Sequence, residues 1–221
     1  MAAMTTQAAD LLTETEQVIE GRVVRVAERT IPFERFLDMA AGQWLELVDG
    51  VIVEKQPVTQ LDHERCSRWI YRVVGMYAEK RGLGEMVGSR IMVRADDFGG
   101  RMPDLLFVRR ERLSIVQQKA VYGAPDLIIE IVLPGDRPSD LRALEADYAR
   151  LGVPELVFIS LRTSEIRRLR RTSSGSYDET VFTSGPVTFD SLDGLTLQAE
   201  WIVNEPRPDE FDTLSALLAA G

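Results

Sequence analysis

The chain has 221 residues, 45% of them hydrophobic, and a formal net charge of −9, so one sizeable core can form within one domain. Its single cysteine and single histidine exclude an intramolecular disulfide and a zinc site of the Cys/His type. Because no run of eighteen apolar residues and no secretory leader pattern is visible, we expect a cytoplasmic protein that makes no membrane contact.

The first third of the chain predicts an N-terminal extension, two helices and a hairpin. The predicted segments are an extension at 1–29 with a strand at 22–27, a helix at 32–39, a hairpin at 44–54 and a helix at 62–81. The hairpin rests on Asp49-Gly50 between two apolar alternating runs, because a type I′ turn needs positive φ at both central residues. The long helix rests on apolar residues at three- and four-residue steps from Cys66 to Tyr77, with His63 at the start of that stripe.

The rest of the chain predicts short strands around one central helix. The predicted strands are 85–87, 91–95, 105–108, 127–132, 156–159, 165–171, 177–183 and 195–197, and the predicted helices are 141–151 and 211–219. Ser139 or Asp140 is expected to cap the helix at 141–151, whose apolar stripe includes Leu144 and Tyr148. The order predicts an α/β (α+β) fold with a mixed sheet flanked by helices, a core domain at 30–203 and a C-terminal tail at 204–221.

Two carboxylates stand at or inside apolar strands. Asp104 precedes the strand at 105–108, and Glu130 lies within the strand at 127–132. Burying an acid is costly unless it is paired or bound to a cation, and two acids on neighbouring strands would suit Mg²⁺ or Mn²⁺. The alternative is that both acids are solvated at strand ends. Glu46 alternates with its apolar neighbours, so it faces either solvent or a cleft.

The chain resembles the Uma-type family of restriction-endonuclease-like proteins, within the PD-(D/E)XK nuclease superfamily. The resemblance spans about residues 30–203 and rests on Glu46-Leu47-Val48-Asp49-Gly50, His63 opening a helix, Pro103-Asp104, Glu130 in an apolar strand, and Tyr148 followed by Gly152-Val153-Pro154-Glu155. It implies a restriction-endonuclease-like core and Mg²⁺- or Mn²⁺-dependent hydrolysis of phosphodiester bonds in nucleic acid, with DNA as the expected substrate. It assigns Glu46, Asp104 and Glu130 as metal ligands and catalytic acids, and His63 as a catalytic residue near the cleft. We also expect a homodimer.

The chain departs from the family at the lysine that normally completes the site. The position expected to carry it on the helix is Leu144, and the alternative position on the strand is Val132. The three lysines of the chain, Lys55, Lys80 and Lys119, all precede Glu130. A positioned cation that stabilises the transition state is therefore missing from both usual places, unless Lys55 reaches the cleft from the hairpin. We expect a weakened nuclease.

Two other functions stay open on the sequence alone. One is a non-catalytic relative of the nuclease fold that binds nucleic acid or a protein partner, which the acidic charge and the missing lysine favour. The other is a homo-oligomeric scaffold with Trp44, Trp69 and Trp201 in its core or interface. Binding of phosphates would require a local basic face. The candidates for that face are Arg109, Arg110, Arg112, Arg162, Arg167, Arg168, Arg170 and Arg171.

Overall fold

The computed structural model describes residues 15–19, 22–26, 31–40, 43–54, 60–88 and 91–220. Its α-helices are Phe33–Ala40 (α1), Leu61–Ile70 (α2), Met76–Lys80 (α3), Pro138–Leu151 (α4), Ala199–Val203 (α5) and Glu210–Ala220 (α6). A π-helical segment, Tyr71–Gly75, joins α2 to α3, and Arg110–Ile115 and Asp190–Leu192 are 3₁₀ helices.

The strands follow the predicted order closely. They are Thr15–Ile19 (β1), Arg22–Val26 (β2), Leu45–Val48 (β3), Val51–Glu54 (β4), Gly84–Gly88 (β5), Met92–Asp96 (β6), Gly99–Arg101 (β7), Leu105–Arg109 (β8), Ala120–Val121 (β9), Leu127–Val132 (β10), Glu155–Ser160 (β11), Glu165–Arg171 (β12), Tyr177–Phe182 (β13), Pro186–Phe189 (β14) and Leu195–Gln198 (β15). Among the described residues they form a seven-stranded sheet in the order β1-β2-β4-β3-β7-β6-β9, a six-stranded sheet in the order β13-β12-β11-β10-β8-β5, and the hairpin β14-β15.

The six-stranded sheet is mixed and has helices on both faces. β10 and β11 run parallel, whereas β10 and β8 run antiparallel. Because successive side chains of a strand point to opposite faces, Ile129 joins one hydrophobic cluster with α2, whereas Ile128 joins another with Tyr148 of α4. The strands at the centre of this sheet are apolar on both faces, as their sequences predict. The fold is therefore the predicted α+β arrangement of mixed sheets flanked by helices.

Two local predictions that rest on short sequence patterns, the hairpin turn and the buried helix stripe, were confirmed. Asp49 and Gly50 have φ values of 49° and 77°, as a type I′ hairpin turn requires. The predicted stripe of the long helix is buried from His63 to Tyr77, although the helix takes a π-helical turn in its middle.

Other local predictions were wrong. Helix α4 begins at Pro138 with Arg137 as its N-cap, so neither Ser139 nor Asp140 caps it. Proline is favoured in the first helical turn, because its fixed φ suits a helix and its missing N–H has no intrahelical role there. The stretch at 109–122, for which the sequence predicts no helix or strand, contains a 3₁₀ helix and β9. The sequence also did not predict β1, β7, β14 or α5.

The predicted domain boundaries stay predictions. In the extension, β2 pairs with β4 through Arg25 and Ile52, and in the tail, Leu214 of α6 joins the same cluster as α2. None of the described helices is both long and apolar enough to cross a membrane.

Candidate active site

Asp104 lies directly before β8, beside the end of β10. Its Oδ2 accepts the backbone N–H of Ile131 at 2.8 Å and lies 3.1 Å from His63 Nε2. β8 and β10 pair with Ile129 opposite Leu105, so one further step in the register brings Asp104 opposite Glu130. The two acids therefore stand at neighbouring strands as predicted, whereas the expected separation of their carboxylates, within about 6 Å, stays a prediction.

Asp126 makes the same kind of backbone contact at the other end of this strand pair. Its Oδ2 accepts the backbone N–H of Arg109 at 2.9 Å, and its Oδ1 lies 2.6 Å from Arg112 Nη1. At each end of the β8–β10 pair, an aspartate side chain therefore accepts a hydrogen bond from the backbone of the partner strand. The feature that distinguishes Asp104 from Asp126 is its second partner, which is an imidazole instead of a guanidinium.

His63 lies in the first turn of α2 and is buried. Its Nε2 lies 3.1 Å from Asp104 Oδ2 and its Nδ1 lies 3.5 Å from Glu64 Oε1, so His63 is not remote from Asp104. The expected catalytic role of His63 beside a cleft that it shares with Glu46 stays a prediction. Burial by itself would lower the pKa of His63, but the hydrogen bond and negative charge of Asp104 outweigh it and raise the pKa above 6.5. The imidazole can therefore act as a donor to the Asp104 carboxylate.

Glu130 lies inside β10 with 6% of its surface exposed, and Tyr148 of α4 holds it. The Tyr148 hydroxyl donates to Glu130 Oε1 at 2.6 Å. Burial, followed by the charges of Glu130 and Glu46, raises the pKa of Tyr148 well above its usual value, so the hydroxyl keeps its proton. The resemblance included Tyr148 as a motif residue, but the sequence did not reveal that it orients a site carboxylate.

Glu46 is 1% exposed, so it faces the interior and not solvent. Its Oε1 accepts the backbone N–H of Met102 at 2.9 Å, and its Oε2 accepts from Arg101 Nη1 at 3.2 Å. Arg101 also donates from Nε to Asp147 Oδ2 at 2.6 Å. Sequence reasoning missed Arg101 and Asp147, because Gly99-Gly100-Arg101 resembles an ordinary turn and Asp147 lies in a helix of mixed polarity.

The oxygen donors fit a hard divalent cation in part. Mg²⁺ is usually held by one or two carboxylates together with waters and substrate phosphates, and Asp104 and Glu130 are donors of that type. In the described ranges, no group of three or more His, Cys, Asp or Glu side chains is placed to hold a metal ion. The assignment of Glu46 as a third ligand stays a prediction, since both its oxygens have protein partners.

Leu144, at the position expected to carry the lysine, also lies in apolar surroundings. Leu144 is half-buried and packs against the cluster around Tyr148. On the surface, Lys119 Nζ lies 2.7 Å from Asp38, and Lys80 is exposed at the end of α3. Lys55 lies outside the described residues, so its predicted reach into the cleft stays a prediction.

The candidate basic face is largely engaged within the protein. Arg167 pairs with Glu145 and Glu179, and Arg170 pairs with Asp190. The remaining contacts join Arg168 to the Thr188 carbonyl, Arg171 to the Gly175 carbonyl, Arg109 to Asp193, Arg110 to the Gly82 carbonyl and Arg112 to Asp126. These arginines therefore serve the fold, and a phosphate would have to compete with their present partners.

Comparison with known proteins agrees with this architecture. Residues 33–203 match the Uma2 family, described as "Putative restriction endonuclease". The fold is similar to a crystal structure of a "putative nuclease belonging to DUF820" from Anabaena variabilis ATCC 29413, with a TM-score of 0.61 at 17% identity over 85% of this chain and 99% of that one. No curated protein matches the sequence at a significant level. Because the family match covers well over half of the chain and includes Glu46, Asp104, Glu130 and Tyr148, this protein belongs to the Uma2 family.

Proposed function

We propose that this protein is a metal-dependent nuclease that hydrolyses phosphodiester bonds in nucleic acid, with DNA as its substrate. One observation carries the proposal: the Asp104 carboxylate is held between His63 and the backbone N–H that follows Glu130. That contact keeps one acid beside the strand position of the other, where two oxygen donors can share a cation. Membership of the Uma2 family supports the same reaction class.

In this proposal each side chain of the site has a separate role. Asp104 and Glu130 would hold Mg²⁺ or Mn²⁺, and such an ion would supply an activated water molecule and polarisation of the phosphate. His63 orients the Asp104 carboxylate, and Tyr148 orients the Glu130 carboxylate. Glu46 is the third acid of the site, and its carboxylate is fixed by Arg101.

A second candidate is a non-catalytic relative that binds nucleic acid or a protein partner. The bonds from Glu46 to Arg101 and to the Met102 backbone favour it, because they engage a carboxylate that a three-acid metal site would use. The net charge of −9 does not distinguish the candidates, since a nuclease and a nucleic-acid-binding module both need a local basic face.

Calorimetric titration with Mn²⁺ and Mg²⁺ tests the proposal, alongside cleavage of plasmid and oligonucleotide substrates. The variants are Asp104→Asn and the matched control Asp126→Asn, which alters the equivalent backbone contact at the other end of the strand pair. We expect Asp104→Asn to weaken metal binding and to abolish cleavage, and Asp126→Asn to retain both. Equal metal binding by the native chain and Asp104→Asn would refute the metal site. Nucleic-acid binding without cleavage would favour the second candidate.

A cytoplasmic homodimer completes the proposal. Reducing conditions suit the single buried thiol of Cys66, which has no cysteine partner in the chain. Sedimentation velocity measures the oligomeric state directly, and a single species near 24.8 kDa would contradict the dimer.

A further inference from the structure

Arg101 is a buried cation held by carboxylates from two separate elements. It ends β7 with 4% of its surface exposed. Nη1 donates to Glu46 of β3 at 3.2 Å, Nε donates to Asp147 of α4 at 2.6 Å, and Nη2 also contacts Asp147. Removing a guanidinium from water is costly, and good geometry with two acids is what offsets that cost.

Arg101 is linked to the three acids of the proposed site through the chain or through hydrogen bonds. Met102, the next residue, donates its N–H to Glu46, and Asp104 follows two residues later. On α4, Asp147 precedes Tyr148, whose hydroxyl holds Glu130. Arg101 therefore bonds both to β3, through Glu46, and to the helix that carries Tyr148, through Asp147.

The guanidinium also brings a permanent positive charge to the side of α4 that bears Leu144. Asp147 and Tyr148 lie three and four residues after Leu144, so the three share one side of the helix. Arg101 offsets the negative charges of Glu46 and Asp147, with which it forms ion pairs.

We infer that Arg101 is a positioning residue of the nuclease site, whose forked contacts set Glu46 and α4 in their working arrangement around Glu130. The inference rests on the proposed function. Arginine suits this task because its planar fork bonds two carboxylates in fixed directions, whereas the ammonium of lysine acts as a point charge. Arg101 acts through Glu46 and α4 and does not itself contact the substrate.

The test compares Mn²⁺ affinity with the rate of plasmid cleavage in the native chain, Arg101→Met, Arg101→Lys and the control Arg72→Met. Arg72 is a suitable control, because it also bonds a carboxylate of a separate element, Glu210 of α6. We expect Arg101→Met to lower kcat by up to about 100-fold, the usual cost of removing a group that orients a site residue. The Kd for Mn²⁺ should stay within about threefold of the native value, because Asp104 and Glu130 keep their own partners, His63 and Tyr148. Arg101→Lys should lower kcat about tenfold, because its ammonium lacks the planar fork, and Arg72→Met should leave kcat unchanged.

The split between kcat and metal affinity separates positioning from simple support of the fold. A parallel loss of kcat and Mn²⁺ binding in Arg101→Met, or an equal loss of kcat in Arg72→Met, would overturn the inference. If Arg101→Met does not fold, Arg101→Lys decides, and a kcat within twofold of native would overturn it. Native cleavage that survives both Arg101 variants refutes this inference alone, whereas a native chain that does not cleave refutes the proposed nuclease as well.

Discussion

His63 and Asp104 are separated by 41 positions in the chain, yet His63 Nε2 lies 3.1 Å from Asp104 Oδ2. The same carboxylate oxygen accepts the backbone N–H of Ile131 at 2.8 Å. The start of α2, the start of β8 and the end of β10 are thus joined at one carboxylate oxygen of Asp104. In this arrangement the imidazole restrains the rotation of a carboxylate that we propose to bind metal.

His63→Ala should therefore weaken Mn²⁺ binding about 10- to 100-fold, the usual cost of removing a group that orients a metal ligand. Isothermal titration calorimetry of the native chain and the variant measures the change. His63→Gln is the control, because its amide can still donate to Asp104 and should recover part of the affinity. Unchanged affinity in His63→Ala would show that the helix start only packs beside Asp104.

Leu144→Lys should raise the rate of plasmid cleavage at least tenfold, because a missing positioned cation typically costs about 10²- to 10³-fold in rate. The new charge replaces a half-buried side chain, so the free energy of unfolding should fall by about 1 to 3 kcal/mol. Leu144→Met, which adds no charge, should change neither quantity much. Fast cleavage by the native chain, abolished in Asp104→Ala, would refute the idea that the site is weakened.

Tyr148→Phe should lower the free energy of unfolding by about 1.5 to 3 kcal/mol, because it removes a hydrogen bond to the buried Glu130 carboxylate. Urea denaturation at pH 7 measures this loss. Tyr177→Phe is the matched control, since its hydroxyl donates to the neutral Val153 carbonyl and its loss should cost only about 0.5 to 1.5 kcal/mol. Equal losses in the two variants would contradict the special weight of the Tyr148–Glu130 hydrogen bond.

Cys66 should react slowly with disulfide reagents in the folded protein. Burial raises the pKa of this thiol from about 9 to about 11, so at pH 8 the reactive thiolate is about 100-fold scarcer than in the unfolded chain. Because Cys66 is fully buried, the ¹³Cβ chemical shift of this sole cysteine reports its ionisation more directly than a labelling rate does. The shift should titrate near pH 11 in the native chain, whereas in the urea-unfolded chain it should titrate near pH 9. A native midpoint near pH 9 would contradict the raised pKa.

Short patterns in the sequence sufficed to predict much of the fold. Asp49-Gly50 predicts the hairpin turn because few residue pairs tolerate positive φ at both positions. The apolar runs at 105–108 and 127–132 predict strands buried on both faces, and the stripe ending at Tyr77 predicts a buried helix face. In each case the residues that determine the feature lie close together in the sequence, so a short segment is sufficient for the prediction.

Helix ends and short elements were harder to predict. Helix α4 starts three residues before its predicted position, at a proline, and β14 pairs only with β15 in a separate hairpin. A four-residue strand has too few side chains for a clear period, and its pairing with another segment stabilises it.

The sequence by itself determined that Asp104 and Glu130 stand at apolar strands, because strand periodicity is a local property. The pairing of those two strands, which brings the acids opposite each other, was decided by the tertiary structure. Only the tertiary structure decided that Glu46 faces inward toward Arg101, and that His63 meets Asp104. These contacts join residues 55 and 41 positions apart, so no sequence window contains both partners. The partner of a buried charge depends on which elements pack beside it in the folded protein. Leaving such a charge unpaired would lower the free energy of unfolding by about 3 to 5 kcal/mol.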